Sequence, residues 1–218
     1  MLLLGADVPF CLDSEMQPTL PPMVMVNEYV PALALPTVHT DNLTAAWRVV
    51  DYLYRLGHRR IGCISGPAQL PACRLRLEGY RQGLRRHGIT PREQSIFHGP
   101  LTCQTGLTGL NMLISRPQPP TAIFCHSDMI ALGALAQAKQ LGLRVPEELS
   151  LTGFGNLTAA AYCCPPLTTV APPCYRIGRE AVLLLLRQLR QHATGAASMM
   201  LDSELVIRGT SALPQTHH

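Results

Sequence analysis

Residues 121–156 read TAIFCHSDMIALGALAQAKQLGLRVPEELSLTGFGN, and this stretch decides the fold predicted for the 218-residue chain. It begins with a short apolar run of strand length, after which Ser127-Asp128 offers the N-cap of a helix. Apolar side chains then recur at helical spacing as far as Gly142, where a C-cap glycine belongs. Residues 149–154 form a second apolar run that is typical of a buried strand. The pattern predicts a βαβ unit.

Two polar turns follow the two strands of this unit. One is His126-Ser127-Asp128 and the other is Gly155-Asn156. In an open parallel sheet, ligands bind outside the carboxyl ends of the strands. We therefore expect both turns to face a ligand.

The remainder of the chain alternates strand-like runs with helical patterns, which predicts an α/β fold with parallel sheets and right-handed crossovers. Proline-rich joints near residues 57–67 and 165–173 favour two lobes with a cleft. Residues 1–4 already read as a strand although no other element precedes them, so we expect an incomplete amino-terminal lobe. We also expect residues 193–198 to form a loop and the tail beyond residue 211 to be frayed.

The composition favours a globular protein in a reducing compartment. Apolar residues make up 47% of the chain, and the net charge of +4 is scattered without the aromatic interleaving of a nucleic-acid footprint. The eight cysteines include no C-x-x-C pair, which favours structural thiols over a disulfide framework or a zinc site. No signal peptide or membrane-length apolar run is present in the sequence, so we expect a cytoplasmic protein.

No motif specifies an enzyme. The sequence lacks the G-x-S-x-G elbow, both common glycine-rich phosphate loops, and the H-x-E and P-C-x-x-C pair of zinc deaminases. His126, Ser127 and Asp128 are the residue types of a serine triad, but consecutive side chains cannot align as base, nucleophile and orienter. We expect no catalytic residue, no metal site and no cofactor.

What remains is a protein that binds a small molecule in a cleft. The polar residues suited to a hydroxylated ligand are Asp41, Arg76, Ser127, Asp128 and Asn156. Arg76 offers a planar fork of donors to ring hydroxyls or to a carbonyl. Four of the five candidate side chains also have a simpler interpretation: Asp41 and Asp128 as helix caps, Arg76 as a surface charge, and Asn156 as a turn residue.

Six blocks of sequence occur in order along nearly the whole chain. They are V-H-T-D-N-L-T-A-A (38–46), L-G-H-R-R-I-G-C-I-S-G-P (56–67), R-L-E-G-Y (76–80), P-T-A-I-F-C-H-S-D-M-I-A-L-G-A (120–134), V-P-E-E-L-S-L-T-G-F (145–154) and P-P-L-T-T-V (165–170). Together they resemble the ligand-binding core of LacI/GalR-family bacterial transcription regulators. Within that family the likeness is greatest to cytidine-responsive members.

The resemblance implies a type I periplasmic-binding-protein-like α/β fold, with two lobes that each contain a parallel sheet flanked by helices. On that scheme residues 1–57 and about 174–192 form the truncated amino-terminal lobe. Residues 58–171 and about 203–208 form the carboxy-terminal lobe, and residues 209–218 are a tail. The resemblance also implies a homodimer and, in an intact member, a helix-turn-helix that binds operator DNA. No helix-turn-helix is present in the chain as written.

The same resemblance assigns roles residue by residue. Arg76 matches the family's effector-binding arginine, Ser127 and Asp128 match the polar pair after a strand, and Asp41 matches an acid that faces the cleft. The implied effector is a nucleoside, with cytidine first, and the implied co-regulator is the cyclic-AMP receptor protein.

Two positions depart from the family pattern. Gly155 replaces an acid that helps to bind effector hydroxyls, and loss of a charge-assisted acceptor costs about 1.5–3 kcal/mol. Pro100-Leu101 replaces an acid and an aromatic residue, which removes a stacking platform. We therefore expect weakened or altered effector binding, and tighter binding when Gly155 is changed to Asp.

The leading hypothesis is therefore the effector-binding and dimerisation core of a LacI/GalR-type repressor that is not an enzyme. Two alternatives stay open at this point. One is a degraded, ligand-deficient remnant of such a regulator, and the other is a solute-binding protein that serves a transporter.

Overall fold

The computed structural model describes residues 1–4, 21–27, 35–191 and 198–215, and these form two compact units. The described parts of Met1–Asp41 and Pro172–Ser203 make up the smaller unit, and those of Asn42–Ala171 and Glu204–His218 the larger. The chain thus divides at residue 41, whereas the sequence predicted residue 57. The reason is that the helix after residue 41 packs on a helix and strands of the larger unit.

The elements alternate as the sequence predicted. In chain order they are β1 (Leu2–Leu4), β2 (Val24–Val26), β3 (Thr37–Thr40), α1 (Asn42–Arg55), β4 (Ile61–Ser65), α2 (Pro71–Arg86), a 3₁₀ turn (Glu93–Ser95), β5 (Ile96–His98), α3 (Cys103–Ile114), β6 (Ala122–Cys125), α4 (Asp128–Gln140), β7 (Ser150–Phe154), α5 (Thr158–Tyr162), β8 (Thr168–Ala171), α6 (Cys174–Gln191), β9 (Ser198–Leu201) and β10 (Glu204–Val206).

The smaller unit is a four-stranded parallel sheet in the order β1-β2-β3-β9. Val24, Val26 and Val38 of the sheet pack against Ile177 and Ala181 of α6. Strand β9 was not predicted, because its short run gains its hydrogen bonds only by pairing with the distant β3. Residues 193–197 of the predicted loop lie outside the described residues.

The larger unit has a six-stranded sheet in the order β10-β8-β7-β6-β4-β5, with helices on both faces. All pairs are parallel except β10 with β8. Alternate residues of each strand point to opposite faces, so Phe124 packs with α1 and α2 while Ile123 packs with α3 and α4. The predicted α/β class is confirmed, with β10 as the antiparallel exception.

Helix α2 lies unusually close to α1 because glycines line their contact. A Cβ at Gly83 would lie 2.7 Å from Cβ of Val50, and one at Gly79 would overlap the carbonyl oxygen of Leu43. This close approach matters for the site, because α2 carries Arg76.

We expect Gly79→Ala to lower the free energy of unfolding by about 1–3 kcal/mol, since the backbone of α1 cannot yield to the new methyl group. The control is Gly178→Ala in α6, where a Cβ meets nothing within 4 Å and the better helix propensity of alanine applies. Urea denaturation followed by circular dichroism measures both variants. An unchanged midpoint for Gly79→Ala would show that the two helices adjust.

The described tail, residues 209–215, is docked on the larger unit, so the expectation of a frayed tail is wrong as far as residue 215. Thr210 is fully buried and its hydroxyl donates to the carbonyl of Leu151 at 2.7 Å. Nε2 of His58 lies 2.9 Å from the carbonyl oxygen of Ala212. A carbonyl only accepts, so Nε2 carries the proton of this ring. Side-chain hydrogen bonds to a tail without secondary structure leave no periodic signal in the sequence.

Burial lowers the pKa of His58 below its ordinary value of 6.5, although the hydrogen bond to Ala212 opposes the shift. The folded state therefore binds fewer protons than the unfolded state just below pH 6.5. The free energy of unfolding is therefore unaffected by His58 protonation above pH 6.5, and it decreases as the pH falls below that value.

We accordingly expect the urea midpoint to fall between about pH 7 and about pH 5, with a shallower dependence in His58→Gln. Equal slopes in wild type and His58→Gln would contradict this role of His58.

Candidate functional site

Three neighbouring strands of the larger sheet end side by side. Ile64 of β4 pairs with Cys125 of β6, and Phe124 of β6 pairs with Thr152 of β7. The turns that follow, at Gly66, His126 and Gly155, therefore meet along one carboxyl edge. Four of the five predicted site residues belong to the larger unit and lie at or against this edge.

Arg76 is held over the edge by three contacts. Its Nε donates to Oδ1 of Asn42 at 2.8 Å, and its Nη1 donates to the carbonyl oxygen of His126 at 2.6 Å. The guanidinium carbon lies 3.7 Å from the centroid of the Phe154 ring. This arginine is thus not a loose surface charge, because its planar group has one fixed orientation.

The sequence analysis did not single out Asn42 or Phe154, which hold this arginine. Asn42 is 3% exposed and Phe154 is 3% exposed, so both read as ordinary core or cap residues. The signal in the sequence was their place inside two of the quoted blocks, at D-N and at G-F. A cation–aromatic contact between α2 and β7 has no signature in local spacing.

Ser127 and Asp128 have separate tasks. The Ser127 hydroxyl caps α4 by accepting from the backbone N–H of Ile130 at 3.2 Å, and its side chain is half-buried. Asp128 is fully buried, and its carboxylate accepts from the backbone N–H of Leu157 at 2.7 Å and from the Thr169 hydroxyl at 2.5 Å. The helix cap is therefore Ser127, and Asp128 ties the turn after β7 to β8.

Burial raises the pKa of the Asp128 carboxyl, and the hydrogen bonds from Thr169 and Leu157 oppose that shift. Because both oxygens already accept from these donors, the carboxylate supports the edge from beneath rather than presenting itself at the surface.

Asn156 is exposed and adopts a left-handed φ of 52° in the turn after β7. Its Oδ1 accepts from Nη2 of Arg208 at 2.7 Å, and Nη1 of the same arginine donates to the Leu167 carbonyl at 2.8 Å. The turn interpretation of Asn156 thus has direct structural support. Arg208 is a second cation near this edge that the sequence analysis missed.

Asp41 is the last residue of the smaller unit. Its backbone N–H donates to the carbonyl oxygen of Leu201 at 3.0 Å, which extends the contact between β3 and β9. The structure therefore groups Arg76, Ser127, Asp128 and Asn156 in the larger unit and describes Asp41 with the smaller one.

His126 lies between the turns and is fully buried. Its Nδ1 is 3.3 Å from the backbone nitrogen of Gly66 and 3.2 Å from Oγ of Ser65, and its Nε2 is 3.4 Å from Sγ of Cys63. Burial lowers the pKa of His126 well below its usual value, and the charges of Arg76 and His98 lower it further.

The described cysteines are all free thiols. Burial raises the pKa of the Cys63 and Cys125 thiols, so both remain protonated and inert. Among residues 1–4, 21–27, 35–191 and 198–215, no group of three metal-ligating side chains comes together. None of the helices in the same ranges is both long and apolar enough to cross a membrane.

The fold is shared with known regulators. Residues 50–211 match a periplasmic binding protein-like domain. A LacI family transcriptional regulator from Mycobacterium smegmatis is 32% identical, with a TM-score of 0.82 over 89% of this chain and 72% of that one. The chain belongs to the LacI family.

Two further relatives are regulators of transcription by name. The HTH-type transcriptional repressor CytR of Escherichia coli K12 is 56% identical over 215 residues, which is 98% of this chain and 63% of that protein. The transcriptional regulator CelR in its cellobiose complex is 30% identical, with a TM-score of 0.88 over 96% of this chain and 64% of that one. These relatives are regulators of transcription rather than enzymes or transporter components, and the predicted effector-binding core fold is confirmed.

The two departures from the LacI-family pattern now have structural surroundings. Gly155 has a φ of +132°, which L side chains rarely adopt, and a Cβ there would lie 3.7 Å from Oδ2 of Asp128. Leu101 packs over the turn at Gly66, where an added Cβ would come within 2.6 Å of Cδ2 of Leu101. An aliphatic side chain therefore covers this part of the edge.

The expected gain from Gly155→Asp is opposed by two costs in this structure. We expect both Gly155→Asp and Gly155→Asn to lower the free energy of unfolding by about 1–3 kcal/mol through backbone strain. Aspartate and asparagine have nearly the same size, but Gly155→Asp should be the less stable variant, because its carboxylate adds a negative charge beside that of Asp128. Urea denaturation at neutral pH measures the difference. Equal urea midpoints for the two variants would show that charge repulsion has no effect. Midpoints equal to that of wild type would show that the backbone at residue 155 is not strained by a side chain.

Proposed function

We propose that this chain is the effector-binding core of a LacI-family repressor and that the effector contacts Arg76 at the carboxyl edge of the larger sheet. The observation that carries the proposal is the fixed orientation of Arg76 between Asn42, the His126 carbonyl and the Phe154 ring. Holding a donor fork in place before binding removes part of the entropy cost of association.

The proposed effector is a nucleoside, with cytidine as the first candidate. A ribose presents hydroxyl groups and a cytosine ring presents a carbonyl, and both are acceptors that suit arginine donors. The Ser127 oxygen accepts from Ile130 while its hydroxyl proton stays available to donate to a ligand. The sequence resemblance to cytidine-responsive members and the 56% identity to the CytR repressor support this choice.

The proposed partners follow from the family. The core would act as a homodimer, and operator DNA would be bound only in a protein that also carries the family's helix-turn-helix. The cyclic-AMP receptor protein is the proposed co-regulator. The proposed compartment is the cytoplasm, which suits the free thiols of the described cysteines. The proposed role involves no catalysis.

Isothermal titration of the chain with cytidine tests the proposal. We expect Arg76→Lys to weaken binding by at least about tenfold, because lysine keeps the charge but loses the planar fork and its contact with Phe154. Arg85→Lys is the matched control, since Arg85 is an exposed arginine of the same helix that pairs with Glu78. It should change the affinity by less than about twofold.

Each other outcome has a definite meaning. Binding of uridine or adenosine in place of cytidine would change the effector but keep the site. Equal affinities for wild type and Arg76→Lys would remove Arg76 from the site. No binding of any nucleoside by a folded chain would overturn the proposal and favour the ligand-deficient remnant.

A further inference from the structure

The contacts of the His126 ring define its protonation state. The backbone N–H of Gly66 lies 3.3 Å from Nδ1, and an amide N–H only donates, so Nδ1 carries no proton in this arrangement. The single ring proton is then on Nε2, which faces Sγ of Cys63 at 3.4 Å. The ring is a neutral imidazole in a fixed tautomer.

One residue thereby joins three parts of the edge. Through Nδ1 the ring connects the end of β6 to the turn after β4 at Gly66, and through Nε2 it contacts β4 itself at Cys63. The carbonyl oxygen of the same residue accepts from Nη1 of Arg76 at 2.6 Å. The backbone that holds the arginine is thus anchored twice, by the imidazole and by the N–H of His126, which donates to the carbonyl oxygen of Ile64 at 2.9 Å.

We propose that His126 is a positioning residue of the effector site, which fixes Arg76 for binding only while its imidazole is neutral. This inference rests on the proposed function for its link to the effector. The imidazole itself is fully buried, so it acts through Arg76 rather than by touching the ligand.

A second proton on the ring would break this arrangement for electrostatic reasons. A proton on Nδ1 could be donated only to Oγ of Ser65 at 3.2 Å, and the N–H of Gly66, which now donates to Nδ1, would lose its acceptor and face a second donor. The charged groups that face the ring are Arg76 from α2 and His98 from β5, and its neighbour on β4 is the neutral thiol of Cys63. None of these stabilises an imidazolium, so acid should release the turn and with it Arg76.

Nuclear magnetic resonance of chain labelled with ¹⁵N in histidine and arginine tests the positioning role directly. In wild type, the His126 ring should show the pattern of a neutral imidazole protonated at Nε2. The Nε–H of Arg76, which donates to Asn42, should exchange slowly with solvent. On acidification both signals should change together, at the pH where the ring takes up its second proton.

Substitutions separate positioning from general stability. In His126→Ala the Arg76 Nε–H should exchange faster, and cytidine affinity should fall by about tenfold. His126→Asn should restore part of both, because its Oδ1 accepts a hydrogen bond as Nδ1 does. The control is His58→Gln, which alters another buried histidine of the larger unit that holds the tail. It should lower stability without changing Arg76 exchange or affinity.

The outcomes distinguish this inference from the proposed function. If cytidine fails to bind wild type while Arg76 exchange depends on His126, the effector proposal fails and the positioning role stands. If cytidine binds and Arg76 exchange is the same in wild type and His126→Ala, the positioning role is overturned. If His126→Ala does not fold, the acid titration of wild type decides, and separate titration of the two signals overturns the inference.

Discussion

The guanidinium of Arg76 depends on contacts from three elements, and the candidate site depends on that guanidinium. Asn42 at the start of α1, the His126 carbonyl at the end of β6 and the Phe154 ring at the end of β7 hold it. The parallel strands β6 and β7, with α1 and α2 packed on the same face of the sheet, bring these groups together. The charge is thus displayed in one orientation, as recognition of a ligand by paired donors requires.

Close packing of α2 on α1 and a buried polar side chain support this arrangement of the site. Glycines at 79 and 83 let α2 approach α1, which sets the position of Arg76 relative to Asn42. Asp128 acts from below, since its buried carboxylate connects the turn after β7 to β8. The polar residues of this edge therefore divide into those that can meet a ligand and those that hold the turns in place.

Much of the fold was readable from the sequence, because periodicity and turn residues report local structure. The βαβ unit of residues 121–156 and the alternation of elements both occur as predicted. The misses are strand β9 and the docked tail, which depend on partners distant in the chain. The candidate site residues were proposed from residue type and motif, whereas their contacts with Asn42, Phe154 and Arg208 were not foreseen, because these contacts cross between elements.

The sequence by itself determined the α/β class, the LacI-family membership and the group of polar residues after the strands. Tertiary structure alone decided their roles: Ser127 became the cap, Asp128 a buried tie, Asn156 a partner of Arg208, and Arg76 the oriented cation. The physical reason is that residue type and spacing fix what a side chain can do. What the side chain does in the protein depends on its burial and on the hydrogen-bond donors around it. Only the folded chain brings these together.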